Sequence, residues 1–187
     1  MAQIVVLGAG IGGISMTYEL RKALGKDHRI TLVNDTPYFQ FTPSNPWVGV
    51  GWRAKQDITV ELSPLMARFG VEFIVQAAKR VHPGENRLEL ADGQTLGYDY
   101  LVVATGPELA FDEIAGLGPD AHTQSVCTVD HATKAHVAWE AFCKETGRRT
   151  LLTSYPWIMK IRQVKHQARG YWSQFQSMWL RLFIQRV

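Results

Sequence analysis

The sequence predicts an α/β fold: a Rossmann-like dinucleotide-binding domain with a parallel sheet, helices and a small β-hairpin layer, followed by a basic helical tail. Three observations carry this expectation. Ile4–Leu24 (IVVLGAGIGGISMTYELRKAL) is an apolar run that breaks into Gly8-x-Gly10-x-x-Gly13 and then becomes helical. Arg29–Asn34 (RITLVN) is a second short strand rich in β-branched residues, which completes a βαβ unit with a right-handed crossover. Tyr98–Gly106 (YDYLVVATG) is another buried strand, ending in small residues.

In the first element each glycine has its own task. Gly8 allows the tight strand-to-helix turn, Gly10 lets a pyrophosphate approach the backbone, and Gly13 lets the helix pack close to the sheet. The unpaired N–H groups of the helix start, with the positive end of its dipole, then face the phosphates. The candidate cofactor contacts in this turn are Gly8, Ala9, Gly10, Ile11, Gly12 and Gly13.

Asn34 and Asp35 follow Gly13 at the spacing where an acidic or amide side chain meets the nucleotide ribose. The same pair, ahead of Pro37, also reads as a turn initiator. Tyr38–Arg53 (YFQFTPSNPWVGVGWR) is an aromatic loop punctuated by Pro and Gly, too long and too apolar for a linker. Its Phe39, Phe41, Trp47 and Trp52 suit a site and a satellite core equally. A short helix is expected over Pro64–Phe69, strands over Val71–Val75 and Ala78–Val81, and a hairpin of Arg87–Leu90 and Thr95–Gly97 with a two-residue Asp92-Gly93 turn.

Thr105 and Gly106 close the Tyr98–Gly106 strand, and ligands bind open α/β sheets at the carboxyl ends of their strands. Thr128–Glu145 reads as a helix with a Thr or Asp start and a stop at Gly147. Its Ala132, Ala135, Trp139 and Phe142 share one face. His131 and His136, five apart, share no face well and read as solvated rather than metal-binding.

Composition bounds the rest. The chain has 187 residues, 46% of them apolar, which suits one core. The only cysteines are Cys127 and Cys143, with neither a disulfide framework nor metal-ligand spacing. No apolar stretch reaches membrane-spanning length, and the N-terminus lacks the basic region of a secretory signal, so a cytoplasmic or peripheral membrane location is expected. Nothing points to nucleic acid. Residues 1–147 carry 12 basic against 17 acidic side chains, whereas residues 148–187 carry 8 basic and none acidic. That switch sets a boundary: a dinucleotide domain over 1–146 and a separate tail over 147–187.

Taken together, the glycine turn, the YFQF/PSNPWVGVGW loop, YDYLVVATGP and SVCTVDHA resemble the N-terminal part of sulfide:quinone oxidoreductases. Glycine turn and ATG are shared with type II NADH dehydrogenases and flavocytochrome c sulfide dehydrogenases; the loop and SVCTVDHA are more particular. The resemblance covers about the first 145 residues and implies FAD, with NAD(P) as runner-up. It implies that Gly8, Gly10 and Gly13 hold the pyrophosphate, that Asn34 and Asp35 lie at the adenosine ribose, that Ala78 meets the adenine through its backbone, and that Thr105 and Gly106 lie near the flavin. Cys127 matches one of three redox cysteines, through which the family oxidises sulfide by persulfide chemistry before electrons reach a membrane quinone.

A nucleophilic cysteine acts as thiolate, aided by a helix N-terminus, and Cys127 immediately precedes the Thr128–Glu145 helix; without the resemblance it reads equally as a structural thiol. The other two redox cysteines and the second nucleotide domain have no counterpart here, so an incomplete, inactive molecule is expected; the alternatives are a flavoprotein like the type II NADH dehydrogenases or flavocytochrome c sulfide dehydrogenases, or FAD or nucleotide binding without catalysis. The sequence leaves open an oligomer that would cover the exposed sheet edge. The tail reads as an out-of-frame or truncated sequence, as an imperfect basic amphipathic helix for a membrane surface, or as ordinary packing against the domain.

Overall fold

A computed structural model describes residues 1–144; the tail from residue 147 and the expected stop at Gly147 lie outside the described residues. In chain order the elements are β1 (Gln3–Leu7), α1 (Ile11–Leu24), β2 (Arg29–Asn34), β3 (Tyr38–Gln40), α2 (Asn45–Gly49), β4 (Thr59–Glu61) and α3 (Ser63–Arg68). There follow β5 (Glu72–Val75), β6 (Ala78–His82), β7 (Arg87–Leu90), β8 (Thr95–Gly97), β9 (Tyr100–Val103) and α4 (Val129–Lys144). Met1–Gly106 and the described chain from Phe111 onward form one compact unit, and Pro107–Ala110 falls outside it.

The main sheet has the order β5-β2-β1-β9, every pairing parallel. Strands buried on both faces must be apolar throughout, which is why VVL and ITLV carry no polar alternation. The pleat sends Ile4, Val6, Ile30 and Leu32 to one side, where Leu62 just before α3, Met66 within it, and Ile14, Tyr18 and Leu24 of α1 cover them. Val5, Leu7 and Val33 point to the other side, onto Leu88 and Leu90 of the antiparallel sheet β6-β7-β8. Three layers result, as expected. Leu88 and Leu90 are fully buried, and each contributes about 1.5–3 kcal/mol through transfer from water.

Two local expectations differ. The β7–β8 turn has three residues, because the Leu90 N–H donates to the Gln94 carbonyl and leaves Ala91, Asp92 and Gly93 outside the ladder. Gly93 adopts φ +87°, the left-handed residue that such a loop needs. The last sheet strand is also shorter than Tyr98–Gly106. The Tyr98 N–H pairs with the Asn86 carbonyl, so regular pairing with β1 begins only at Tyr100.

At the opposite, amino-terminal edge of the sheet, Arg21 spans three backbone segments. Its guanidinium donates to the carbonyls of Gly25, His28 and Gly70, tying the end of α1 to the entries of β2 and β5.

The Tyr38–Arg53 segment is folded rather than a loop. β3 pairs antiparallel with β4, and a 3-10 turn leads into α2. Val48 and Ile58 pack with Val129 and Ala132 of α4 and with Tyr38, a second small core. Of the four aromatics, Phe39 joins the helix-side core, whereas Phe41 and Trp47 are partly exposed and Trp52 is exposed by 78%. The Arg53 guanidinium lies 4.1 Å from the Trp47 ring centroid. On α4, Ala132 and Ala135 are buried, while Trp139 stacks on Phe142 nearer the helix end.

Candidate functional site

Parallel register brings four strand ends together: Leu7 pairs with Val33 and Val103, and Asn34 with Val75. The three motif glycines meet different surroundings there. A Cβ on Gly8 (φ +99°) would lie 2.4 Å from the Ala104 carbonyl oxygen, so the turn crosses directly over the end of β9. A Cβ on Gly13 would lie 1.8 Å from the Gly8 carbonyl oxygen, so this glycine seats α1 against the turn. At Gly10 and Gly12 a Cβ would meet nothing within 4 Å.

That open space faces the first turn of α1, whose N-cap Gly10 supplies no side-chain hydrogen bond. The N–H groups of Ile11 and Gly12 have no intrahelical acceptor, and the dipole is positive there. A pyrophosphate fits both the space and the donors.

Ala9 does something else. Its N–H donates to Asn34 Oδ1 at 2.8 Å, while Asn34 Nδ2 donates to the Thr36 carbonyl and hydroxyl at 3.0 and 2.9 Å. The Ala9 amide is thus spent inside the protein, and the Asn34 amide latches the glycine turn to β2 instead of standing free for a ribose. Asp35, next in the chain and exposed, is the carboxylate left at that position.

The remaining expected contacts line the same edge. Ala78 opens β6 with its side chain exposed, just after the Gln76 N–H donates to the Asn34 carbonyl at 2.7 Å. The Ala104 N–H donates to the Leu7 carbonyl, which brings Thr105 under the glycine turn. Gly106 follows at φ +75° with open space around it.

Cys127 is half-buried and forms no disulfide. It stands two residues before α4, and Thr128 is the cap, its Oγ1 accepting the His131 N–H at 3.1 Å. Cys127 itself is held by its backbone: its N–H donates to Ser125 Oγ at 3.2 Å, and its carbonyl accepts from Asn45 Nδ2 at 3.0 Å. Asn45 is fully buried, and its Oδ1 accepts from Gln40 Nε2. Gln40 Oε1 in turn accepts the Val129 N–H at 3.3 Å. Sequence reasoning passed over Gln40 and Asn45. The available signal was two amides inside an otherwise apolar segment.

Cys143 lies at the far end of α4, roughly 20 Å from Cys127 at 1.5 Å per helical residue, beyond the span of a disulfide. The helix histidines are half-buried rather than solvated. His131 lies edge-on to Phe111, His136 sits against Gly51, and both Nδ1 atoms are buried without a partner. No group of His, Cys, Asp or Glu among the described residues could hold a metal.

A hollow of about 320 Å³ beside α4 is lined in part by Arg53, Lys55, Thr133 and His136. Its cations are engaged already: Arg53 donates to Ser44 Oγ at 2.7 Å, and Lys55 Nζ meets Asp130 at 2.6 Å. The Asp130 hydrogen bond, helped by Tyr38 and opposed by burial, holds the Lys55 ammonium above its ordinary range.

The sequence pattern of pyridine nucleotide-disulphide oxidoreductases matches residues 2–149. The chain belongs to that family. It is 43% identical over 129 residues to the sulfide-quinone reductase of Aquifex aeolicus, covering 69% of this chain and 29% of that protein. The crystal structure of the A. aeolicus sulfide:quinone oxidoreductase superposes with a TM-score of 0.70 at 39% identity, over 76% of this chain and 32% of that one. The mouse mitochondrial sulfide:quinone oxidoreductase is 28% identical over 62% of this chain and 25% of its own length. The chain therefore spans about a third or less of these relatives. Its relatives in this family are FAD-binding flavoproteins.

Proposed function

We propose that this chain forms the FAD half-site and carries one redox thiol of a sulfide:quinone oxidoreductase. The observation that carries the reading is the open cradle at Gly10 and Gly12, set at four converging strand ends in a chain that also presents Cys127. The backbone at Gly10 to Gly12 and the α1 N-terminus hold the pyrophosphate, Asp35 the ribose, the Ala78 backbone the adenine, and Thr105 with Gly106 the flavin side. The dinucleotide domain is residues 1–146.

When bound, FAD supplies the two-electron acceptor between sulfide and quinone. Cys127 supplies the sulfur that carries the substrate: its thiolate and HS⁻ give one S–S bond, one proton and two electrons. The quinone, dissolved in a bilayer, places the reaction at a membrane surface.

A second reading, FAD binding without turnover, is favoured by the placement of Cys127 and Cys143 at opposite ends of α4. A dithiol relay needs two sulfurs in reach. One experiment separates the readings. The purified chain is loaded with FAD and titrated with sulfide without oxygen. Bleaching of the flavin absorbance that disappears in Cys127→Ser supports the redox role, flavin that sulfide cannot bleach supports the binding module, and failure to take up FAD overturns both.

A further inference from the structure

We propose that Gln40 and Asn45 are positioning residues for Cys127, forming a one-way amide clamp that fixes the thiol segment to the start of α4. The inference rests on the reading of Cys127 as the redox thiol, but the clamp has its own geometry.

The chain of bonds begins and ends on backbone groups whose polarity cannot change. The Cys127 carbonyl only accepts, so Asn45 must turn Nδ2 toward it. Asn45 Oδ1 then faces Gln40 and must receive Nε2. Gln40 is left with Oε1 for the Val129 N–H, which only donates. Both amides are therefore held in a single orientation, and any carboxylate in the chain breaks it. The clamp links β3, the first residue of α2 and the helix start across more than 80 residues of sequence.

Its burial raises the stakes. Asn45 has no exposure to water, so losing its partner would strand a polar group in the core. The α2 backbone also presses on the same segment, since a Cβ on Gly49 would lie 2.9 Å from Val126 Cγ1. The Tyr38–Arg53 segment and the SVCTVDHA segment thus act as one device: the first supplies the donors and acceptors that hold the second.

Gln40→Glu tests the proposal with little change of shape. The carboxylate still accepts from Val129 but cannot donate to Asn45, so the bond to the Cys127 carbonyl loses its fixed orientation. Gln40→Met, which removes both bonds, is the companion variant. The full chain is alkylated with iodoacetamide under native conditions, and modification of each cysteine is followed by peptide mass spectrometry, with Cys143 as the internal control.

The expected result is a selective rise in the Cys127 rate of roughly fivefold, the loss of about one hydrogen bond, with the Cys143 rate unchanged. Acceleration of both thiols together, or of neither, overturns the clamp. The two proposals fail separately. Flavin bleaching that survives Cys127→Ser removes the redox role and leaves the clamp, whereas an unaltered thiol ratio in both Gln40 variants does the reverse.

Discussion

Replacing Gly13 and Gly10 separately by alanine should split folding from cofactor binding. At Gly13 the added methyl would lie 1.8 Å from the Gly8 carbonyl oxygen and 2.9 Å from its carbon, well inside the 3.0 Å such contacts respect. The obstacle cannot swing away, because the Gly8 N–H is bonded to the Val33 carbonyl and the Ala9 N–H to Asn34 Oδ1, each at 2.8 Å. The helix must instead lift off the sheet, opening the layer where Ile14 and Tyr18 cover Ile4 and Val6.

Overpacking of this kind costs about 1–3 kcal/mol, or more where the backbone is the obstacle. Alanine returns at most about 1 kcal/mol of helix propensity. A net loss of about 2 kcal/mol or more lowers Tm by roughly 4–8 °C in a chain of this size. At Gly10 the methyl meets nothing, and φ −72° with ψ −174° suits any residue, so stability should change by less than about 1 kcal/mol. Yet that methyl fills part of the open space proposed above for the pyrophosphate.

Thermal unfolding by circular dichroism, paired with flavin absorbance after FAD loading, reads both effects. Gly13→Ala should melt early. Gly10→Ala should melt near wild type and bind no flavin. A Gly13→Ala chain with unchanged Tm, or a Gly10→Ala chain that retains flavin, would refute the reasoning.

Leu90→Ala removes a fully buried side chain between the two sheets and should cost about 2–5 kcal/mol in urea unfolding. Gly51→Ala places a methyl 2.3 Å from His136 Cε1 at φ +76°; a loss of about 1–2 kcal/mol is expected from the backbone alone, and His136→Ala added to it should recover only the steric part. Lys79 first and then His82 hold the Glu89 carboxyl below its usual value of 4.5. Its contribution to stability is therefore complete above that value and fades as the pH falls below it. Melting curves from pH 7 to 3 should show a shallower acid decline for Glu89→Gln than for wild type, and parallel declines would exclude the link.

Much of the architecture was legible because glycine and strand chemistry are local. The Gly8 turn, the RITLVN strand and the hairpin around Asp92-Gly93 announce themselves through residues acting on their own backbone. The hairpin turn length was missed because Asp-Gly suits both two- and three-residue loops, and the pairing of Leu90 with Gln94 decides between them. The spacing of Asn34 from Gly13 suits an amide at a ribose, yet an amide there can face outward to a ligand or inward to a turn. Its partners, the Ala9 N–H and the Thr36 oxygens, become visible only in three dimensions. For Gln40 and Asn45 the two amides are near neighbours in sequence, but the backbone groups they hold, the Cys127 carbonyl and the Val129 N–H, lie more than 80 residues away. The histidines misled because helical spacing shows which face a ring is on, while Phe111 and Gly51, which cover them, come from distant segments.

The Asn34 latch also bears on how quickly a cofactor can enter. The amide secures the glycine turn from within the protein, so on the proposed reading the cradle for the pyrophosphate is formed before any ligand arrives. No loop has to be ordered at the moment of capture, so little conformational entropy is spent there. Loading should then proceed at the pace of encounter, and the latch can form as soon as β1 and β2 pair, within the first 36 residues of the chain.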